Sequence, residues 1–173
     1  MANTTFSGPV RSLNGFISFG PKAVVSLTAD TTLTQATHAG RILTCNDADG
    51  KFTLPTITAG SSSAVAGDND YNVLSNLGCT YTFWVETLAT DMDILTDGTD
   101  KFYGAVFIGI DSEETGETFA ADASNNDVLT MNGTTKGGIV GSFVEFTAIA
   151  NDKYFVRGSL IGSGTVETPF ANA

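Results

Sequence analysis

SFVEFTAIA, residues 142–150, alternates its side chains between two faces, which is the pattern of a β-strand. The apolar face carries Val144, Phe146 and Ala148. The opposite face is mixed and carries Phe143, Glu145, Thr147 and Ile149. TYTFWVE, residues 80–86, alternates in the same way. Strands with faces of this kind are typical of a sandwich in which two sheets enclose one core.

Short runs rich in Val, Ile, Thr, Phe and Tyr recur along the chain between Gly, Asn and Asp residues. Besides the two above, they are AVVSLT (23–28), RILTC (41–45), KFTLP (51–55), KFYGAVFIGI (101–110) and KYFVRGSLIG (153–162). This spacing predicts an all-β fold, an antiparallel β-sandwich of jelly-roll type with at most one or two short helices. The best helical candidate is DNDYNVLSNLG, residues 68–78, with Gly78 at its C-terminal end.

The composition is that of a folded domain, with 42% hydrophobic and 16% charged residues in a chain of 173, a length that suits one domain. The net charge is −11 and there are only eight Lys and Arg residues, so we expect no nucleic-acid partner. No run of 18 apolar residues occurs, and the opening MANTTFSGPVRSLNGF lacks the pattern of a secretory signal. We therefore expect no membrane partner and a soluble protein made in a cytoplasm.

The first part of the chain differs in charge from the rest. Residues 1–29 hold Arg11 and Lys22 and no acid, for a formal charge of +2, whereas residues 30–173 hold six basic and 19 acidic residues, for −13. The same opening is rich in aromatic and proline residues, namely Phe6, Pro9, Phe16, Phe19 and Pro21. Its alternation is too weak to predict a strand before about residue 22.

These features indicate an extended N-terminal arm over residues 1–21, joined to a single β-sandwich domain over residues 22–173. An apolar, slightly basic segment attached to an acidic domain is costly to leave in water, and it is stabilised if it lies on another protein. The alternative is that the arm folds back on its own domain as an edge strand.

HAGRILTCNDADGKFTLP, residues 38–55, contains two alternating runs around the loop NDADG. The simplest interpretation is a β-hairpin, in which Gly50 is free to take a positive φ and Asn46 or Asp47 forms an Asx-turn. A Cys-His pair of His38 and Cys45 is disfavoured, because the neighbouring acids create the wrong field for a thiolate. We expect Cys45 and Cys79 to remain free thiols.

The same loop loosely resembles the start of a calcium-binding EF-hand, with Asn46, Asp47 and Asp49 before Gly50. The match stops there, because the twelfth position is Ile57 rather than Glu and strands flank the loop. Solvated turn residues are the simpler interpretation. We therefore predict no metal site.

Other motifs give no catalytic chemistry. The glycine-rich TTKGGIVGS, residues 134–142, lacks the spacing and the Lys-Ser/Thr ending of a phosphate-binding loop, so it predicts a turn before the next strand. Trp84 and the tyrosines could form a sugar platform, but on strands with Phe and Val neighbours they are more typical of a core. The 19 acids single out no catalytic pair, and we predict no cofactor and no enzymatic activity.

Three segments resemble small structural proteins of marine tailed bacteriophages. They are MANTTFSGPVRSLNGF at the start, LTADTTLTQATHAGRILTCNDADGKFTLP in the centre and MNGTTKGGIVGSFVEFTAIANDKYFVRGSLIGSGTVETPF at the end. The resemblance leaves residues 56–78 and 86–125 uncovered. It implies a virion component, most plausibly a capsid decoration or cement protein on the head surface, assembled in the host cytoplasm. It supplies no catalytic residues.

The partners that this resemblance implies are the major capsid protein and further copies of the chain, as a homotrimer. The expected capsid contacts are all in the arm or beside it: Phe6, Pro9, Arg11, Phe16, Phe19 and Lys22. The C-terminal TVETPFANA either exchanges between subunits or caps the core of its own domain. The alternative function is a head or tail fibre domain, an adhesin that binds host glycans through exposed aromatic residues.

Overall fold

The structure is a computed structural model that describes residues 23–58, 76–111 and 115–173. Twelve strands and one short helix occupy these ranges. In chain order they are β1 (Val24–Leu27), β2 (Thr31–Thr32), α1 (Gln35–His38), β3 (Ile42–Cys45), β4 (Lys51–Thr53), β5 (Thr80–Val85), β6 (Met92–Leu95), β7 (Lys101–Ile110), β8 (Gly116–Ala120), β9 (Val128–Met131), β10 (Phe143–Ala150), β11 (Lys153–Gly162) and β12 (Phe170–Ala171).

The strands form two sheets with the apolar core between them. The large sheet has seven strands in the order β1-β3-β5-β10-β11-β7-β8, and the small sheet has five in the order β12-β9-β6-β4-β2. The core holds side chains from both sheets, among them Phe83 and Phe146 of the large sheet and Phe52 and Ile94 of the small one. The predicted all-β sandwich is confirmed.

The two sheets are mixed, whereas antiparallel pairing was expected. Strands β1, β3 and β5 are parallel neighbours in the large sheet, and β2, β4 and β6 are parallel neighbours in the small sheet. Each of the pairs β1-β2, β3-β4 and β5-β6 passes from the large sheet to the small one. The chain therefore re-enters each sheet in the same direction, which makes these neighbours parallel.

The predicted hairpin over residues 38–55 is wrong, because β3 belongs to the large sheet and β4 to the small one. Leu43 of β3 and Phe52 of β4 are both fully buried in the core from opposite sides. The loop between them carries the chain around the edge of the sandwich. Alternation identified the buried residues correctly, but it does not determine which sheet a strand joins.

Gly50 in this loop serves close packing rather than a positive φ, since the glycines with positive φ do not include it. A Cβ at Gly50 would lie 2.7 Å from the ring of Phe52 and 2.9 Å from Cβ of Asp47. The side-chain amide of Asn46, one of the two expected Asx-turn residues, donates to the hydroxyl of Ser26 at 2.8 Å. This bond joins the loop to the end of β1.

A true hairpin joins β10 and β11, with Asp152 at its turn in the left-handed region (φ 59°). β10 also pairs with β5, so it connects the parallel half of the large sheet to the rest. Beneath it the ring of Phe146 lies 4.8 Å from that of Phe102 and 5.9 Å from that of Phe83, measured between centroids. Aromatic packing at the centre of the core thus supports the strand that joins the two halves.

The helix in the structure, α1, is not the one predicted at residues 68–78. Residues 68–75 of that prediction lie outside the described residues, and residues 76–78 are not helical. Gly78 has a φ of 81°, and its N–H donates to the carbonyl of Ala148 at 2.7 Å. The glycine therefore fits a turn that leads into β5.

In the structure the C-terminal segment caps the core of its own domain, which is one of the two alternatives left open above. β12 pairs with β9, and the buried ring of Phe170 lies 6.4 Å from that of Phe102. Asp127 accepts a hydrogen bond from the N–H of Ala173 at 2.9 Å and one from Nζ of Lys101 at 2.5 Å. The last strand and an ion pair thus hold the tail in place.

Candidate functional site: the outer face of the large sheet

The outer face of the large sheet is the side turned away from the core, and it carries most of the large apolar side chains that are exposed. Seven of the ten such residues within the described ranges lie on strands of this sheet: Val24, Ile42, Trp84, Phe107, Phe143, Ile149 and Phe155. They alternate with core residues along each strand. Exposed apolar groups collected on one face mark a surface that binds something.

A row of side chains crosses this face in register. Trp84 of β5 lies opposite Phe143 of β10, which lies opposite Ser159 of β11, and Ser159 lies opposite Phe107 of β7. We call Trp84, Phe143 and Phe107 the aromatic row. Their exposed fractions are 41%, 42% and 43%. Three half-exposed rings on adjacent or next-but-one strands make a flat apolar surface.

Phe107 is held in position by two glycines beside it. A Cβ at Gly116 of β8 would collide with its ring, and a Cβ at Gly109 would lie 3.3 Å from the same ring. The absence of side chains at these positions lets the ring lie flat over the backbone of the edge strand. The aromatic row is therefore built into the packing of β7 and β8.

The charges of this face are few and largely paired. Glu145 is the one acid at an outward position of the described strands of the large sheet, and its Oε1 accepts bonds from Nε and Nη2 of Arg157 at 2.7 and 2.6 Å. Nζ of Lys153 lies 5.1 Å from the ring centre of Tyr103. In a chain of net charge −11, the outward positions of the described strands of this face thus carry no unpaired acid.

The structure places Trp84 outside the core, contrary to the interpretation that its Phe and Val neighbours suggested. Tyr81, Phe83 and Val85 of the same strand are buried, and Trp84 alternates with them onto the outer face. The alternation was visible in the sequence, and it was a better guide to this residue than its hydrophobicity. The predicted contacts Phe6, Pro9, Arg11, Phe16, Phe19 and Lys22 lie outside the described residues.

His38 and Cys45 do not form a reactive pair. Nδ1 of His38 lies 2.9 Å from the N–H of Thr34, which donates to it within the turn of α1. Cys45 is fully buried in the core, and this burial raises the pKa of its thiol to about 12. A nucleophilic cysteine needs the opposite shift. Both cysteines are free thiols in the structure.

The loop that loosely resembled a calcium site does not assemble one. No group of three or more His, Cys, Asp or Glu side chains within the described ranges could hold a metal ion. Asn46 is turned toward β1 by its bond to Ser26. Nearby, Asp30 accepts from the N–H of Lys51 at 2.8 Å, so it stabilises the start of β4.

Asp97 and Asp100 lie close together and have pKa values shifted in opposite directions. Burial raises the pKa of Asp100. The N–H of Ile57 donates to its Oδ2 at 2.8 Å and has the smaller, lowering effect on this pKa. Desolvation of Asp97 is outweighed by hydrogen bonds from Thr56 and from the backbone of Thr99, which lower its pKa.

Opposed shifts of this kind can mark an acid and a base. Asp100, however, is only 1% exposed, so no substrate reaches it. Its Oδ1 and the hydroxyl of Tyr81 have no hydrogen-bond partner among the described residues. The pair is explained by the turn at residues 96–100, which it holds against the irregular segment that follows β4.

The chain matches no protein-family model, and neither a curated protein nor a solved structure matches it. Within the part of the chain that the structure describes, no helix has the length and apolar character needed to span a membrane. The interpretation of the outer face therefore depends on its geometry and on the composition of the chain.

Proposed function

We propose that the chain is a structural protein of a tailed-phage virion, a capsid decoration protein that binds the lattice of the major capsid protein and stabilises the head. Its role is mechanical, without catalysis or a cofactor. The observation that carries this proposal is the apolar outer face of the large sheet on an otherwise acidic β-sandwich. Such a face is characteristic of proteins that bind other proteins. The sequence resemblance described above supports the same class.

The attachment in this proposal is made by the N-terminal arm, residues 1–21, and the adjacent Lys22. Phe6, Phe16 and Phe19 bury apolar area against the capsid, each contributing about 1.5–3 kcal/mol when fully desolvated. Pro9 packs beside them, and Arg11 pairs with a carboxylate or a backbone carbonyl of the shell. A homotrimer would present three arms at once, so weak contacts add through effective concentration.

Head attachment tests the proposal directly. Purified heads that lack the protein are mixed with the full chain and with a variant that lacks residues 1–20, and bound protein is measured after sedimentation. We expect the full chain to saturate the heads and the truncated chain to remain in the supernatant with an unchanged circular dichroism spectrum. The full chain carrying Leu88→Ser is the matched control, because Leu88 is exposed but lies outside the outer face. Attachment of the truncated chain at full occupancy would contradict the role of the arm.

A second candidate function is supported by the exposure of Trp84. An aromatic ring on a flat surface, beside Phe143 and the hydroxyl of Thr44 opposite it, is the kind of platform on which sugar rings stack. In this alternative the chain is a head or tail fibre domain that binds host glycans. Binding on a glycan array that disappears in Trp84→Ala, with the fold retained, would favour it over capsid decoration.

A further inference from the structure

The outer face of the large sheet begins at the strand that follows the N-terminal segment. β1 is an edge strand of this sheet, and its first residue, Val24, points outward. Val24 lies opposite Ile42 of β3, which is also exposed. Ile42 lies opposite Thr82 of β5, two residues from Trp84 on the same face. The two side chains therefore form a second apolar patch diagonal to the aromatic row, at the edge of the sheet where residues 1–22 join the described domain.

The segment 1–22 has the chemistry that such a face requires. Its apolar side chains are Phe6, Val10, Leu13, Phe16, Ile17 and Phe19 among others, and it contains no Asp or Glu. Its charged side chains are Arg11 and Lys22, opposite in sign to the formal charge of −13 on residues 30–173.

The segment is also long enough to cover the face. From β1 to β7 the sheet has five interstrand spacings, which amount to about 24 Å at about 4.8 Å each. A chain of 22 residues spans up to roughly 70 Å when extended. It can therefore cross the face from Val24 to Phe107 and still return.

We propose that in the unattached protein residues 1–22 pack against the outer face of the large sheet of their own chain and cover the aromatic row. Covalent attachment makes this segment the occupant with the highest effective concentration at the face. Burial of its phenylalanines against Trp84 and Phe143 removes both apolar surfaces from water. This proposal goes beyond the proposed function, since it concerns the isolated protein.

A consequence links the two proposals. If the same segment binds the capsid, it must first leave the outer face. The net free energy of attachment is then the free energy of binding to the capsid minus that of packing on the face. A variant that weakens the packing of the segment on the face should then attach to heads more readily. The two proposals are tested separately, however, because covering of the face is measured without heads.

Trp84 is the chain's single tryptophan, so its fluorescence reports on the covered face alone. The experiment measures acrylamide quenching of the full chain and of the full-length variant Phe6→Ser, Phe16→Ser, Phe19→Ser. Trp84 is half exposed on the described domain, so release of a covering segment should raise the quenching constant by about twofold and shift the emission to the red. The matched control is Thr5→Ser, Ser12→Thr, Asn14→Ser, which alters the same segment but keeps its apolar residues.

The outcomes separate cleanly. Stronger quenching in the serine variant, an unchanged control and a monomer by analytical ultracentrifugation would support the proposal. Equal quenching in all three proteins would overturn it. Shielding of Trp84 that is lost on dilution together with an oligomer would also overturn it, because a second copy would then cover the face. Circular dichroism verifies that each variant is folded.

Discussion

The two sheets turn opposite kinds of outer face to their surroundings. Seven large apolar side chains are exposed on strands of the large sheet, whereas none of those exposed within the described ranges lies on a strand of the small sheet. The small sheet places Lys51, Asp93 and Thr130 side by side across β4, β6 and β9. Both sheets share one core, so the core does not require this difference.

This difference in exposed apolar residues indicates that the two outer faces of the sandwich have different surroundings. A polar outer face is what an antiparallel or mixed sheet shows toward water, whereas an apolar one is typical of a face covered by another segment or protein. The small sheet thus suits the solvent side of an attached protein. The large sheet suits the covered side, whether the cover is the N-terminal segment or a partner.

The largest effect should come from comparing two phenylalanines of β10 that point in opposite directions. Phe146→Ala removes a fully buried ring that packs on Phe83 and Phe102, so we expect a loss of about 3–5 kcal/mol in the free energy of unfolding. Phe143→Ala removes a ring that is 42% exposed on the described sheet and that the N-terminal segment is proposed to cover, so it should cost less than Phe146→Ala, about 1–2 kcal/mol. Urea unfolding measures both.

A loss in the free energy of unfolding for Phe143→Ala as large as that for Phe146→Ala would contradict this prediction. It would show that the outer face is covered as tightly as the core. Repeating the measurement in the serine variant of the N-terminal segment identifies the cover, since the cost of Phe143→Ala should then fall.

The two ion pairs of the described domain should also differ in how much they stabilise the fold, with the buried pair contributing more than the exposed one. Asp127 is 3% exposed at its side chain, it precedes β9 of the small sheet, and it receives Lys101 of the large sheet and the N–H of Ala173. Asp127→Ala should cost about 2 kcal/mol, below the usual loss for a buried pair because Lys101 reaches solvent. Glu145→Ala breaks the pair with Arg157, whose side chain is 65% exposed, and should cost less than about 1 kcal/mol.

Thermal or urea unfolding of the two alanine variants checks this order. The same variants also test how the tail is held, because loss of Asp127 should make the C-terminal residues accessible to carboxypeptidase. An Asp127→Ala protein as stable as Glu145→Ala would mean that the packing of Phe170 alone holds the tail.

A lysine placed on each outer face should distinguish the faces with little change in stability. Ile42→Lys on the large sheet and Thr53→Lys on the small sheet are at partly or fully exposed positions, so each should change the free energy of unfolding by about 0.5 kcal/mol or less. Only Ile42→Lys should increase the quenching of Trp84, because it disturbs the covered face. Equal quenching changes in both variants would remove the distinction between the faces.

The smallest effect concerns the pH dependence of stability. Burial raises the pKa of Asp100 above its ordinary value of 3.8, so the folded state binds this proton more tightly than the unfolded state. The contribution of Asp100 is therefore most favourable at low pH, and it declines as the pH rises above 3.8. Asp100→Asn should remove this decline when urea midpoints are compared between about pH 4 and pH 7.

Asp122→Asn is the control of opposite sign. Hydrogen bonds from Asn125 and Ser124 lower the pKa of Asp122, so its contribution is present above the ordinary value and is lost as the pH falls. The two asparagine variants should change the slope of stability against pH in opposite senses, Asp100→Asn above pH 3.8 and Asp122→Asn below it, so the urea midpoints of the control are also measured below pH 3.8. A common change of slope would contradict the assignment of either group.

The sequence predicts the long strands well because alternation repeats over many residues. β7, β10 and β11 lie within the runs identified beforehand, as do the shorter β1, β3, β4 and β5. β2 and β12, with two residues each, are too short for a pattern, and β6, β8 and β9 were not recognised as strands. Their bounds depend on pairing with distant strands, which a local pattern does not contain.

Which sheet each strand joins could not be predicted either. Leu43 and Phe52 are correctly assigned to the core, but a hairpin and a crossing between sheets bury the same residues. Of the candidate site, the outward position of Trp84 was contained in the alternation of β5, whereas the register that aligns it with Phe143 and Phe107 depends on three separate parts of the chain.

The three strand pairs β1-β2, β3-β4 and β5-β6 resemble successive turns of a coil laid one upon another. Each turn adds one strand to each sheet and contacts mainly the turns on either side of it. Duplication or loss of a whole turn would widen or narrow the protein by one strand spacing and leave the β10-β11 hairpin intact. Changes in the width of the protein could thus arise in steps of one such turn without a new fold.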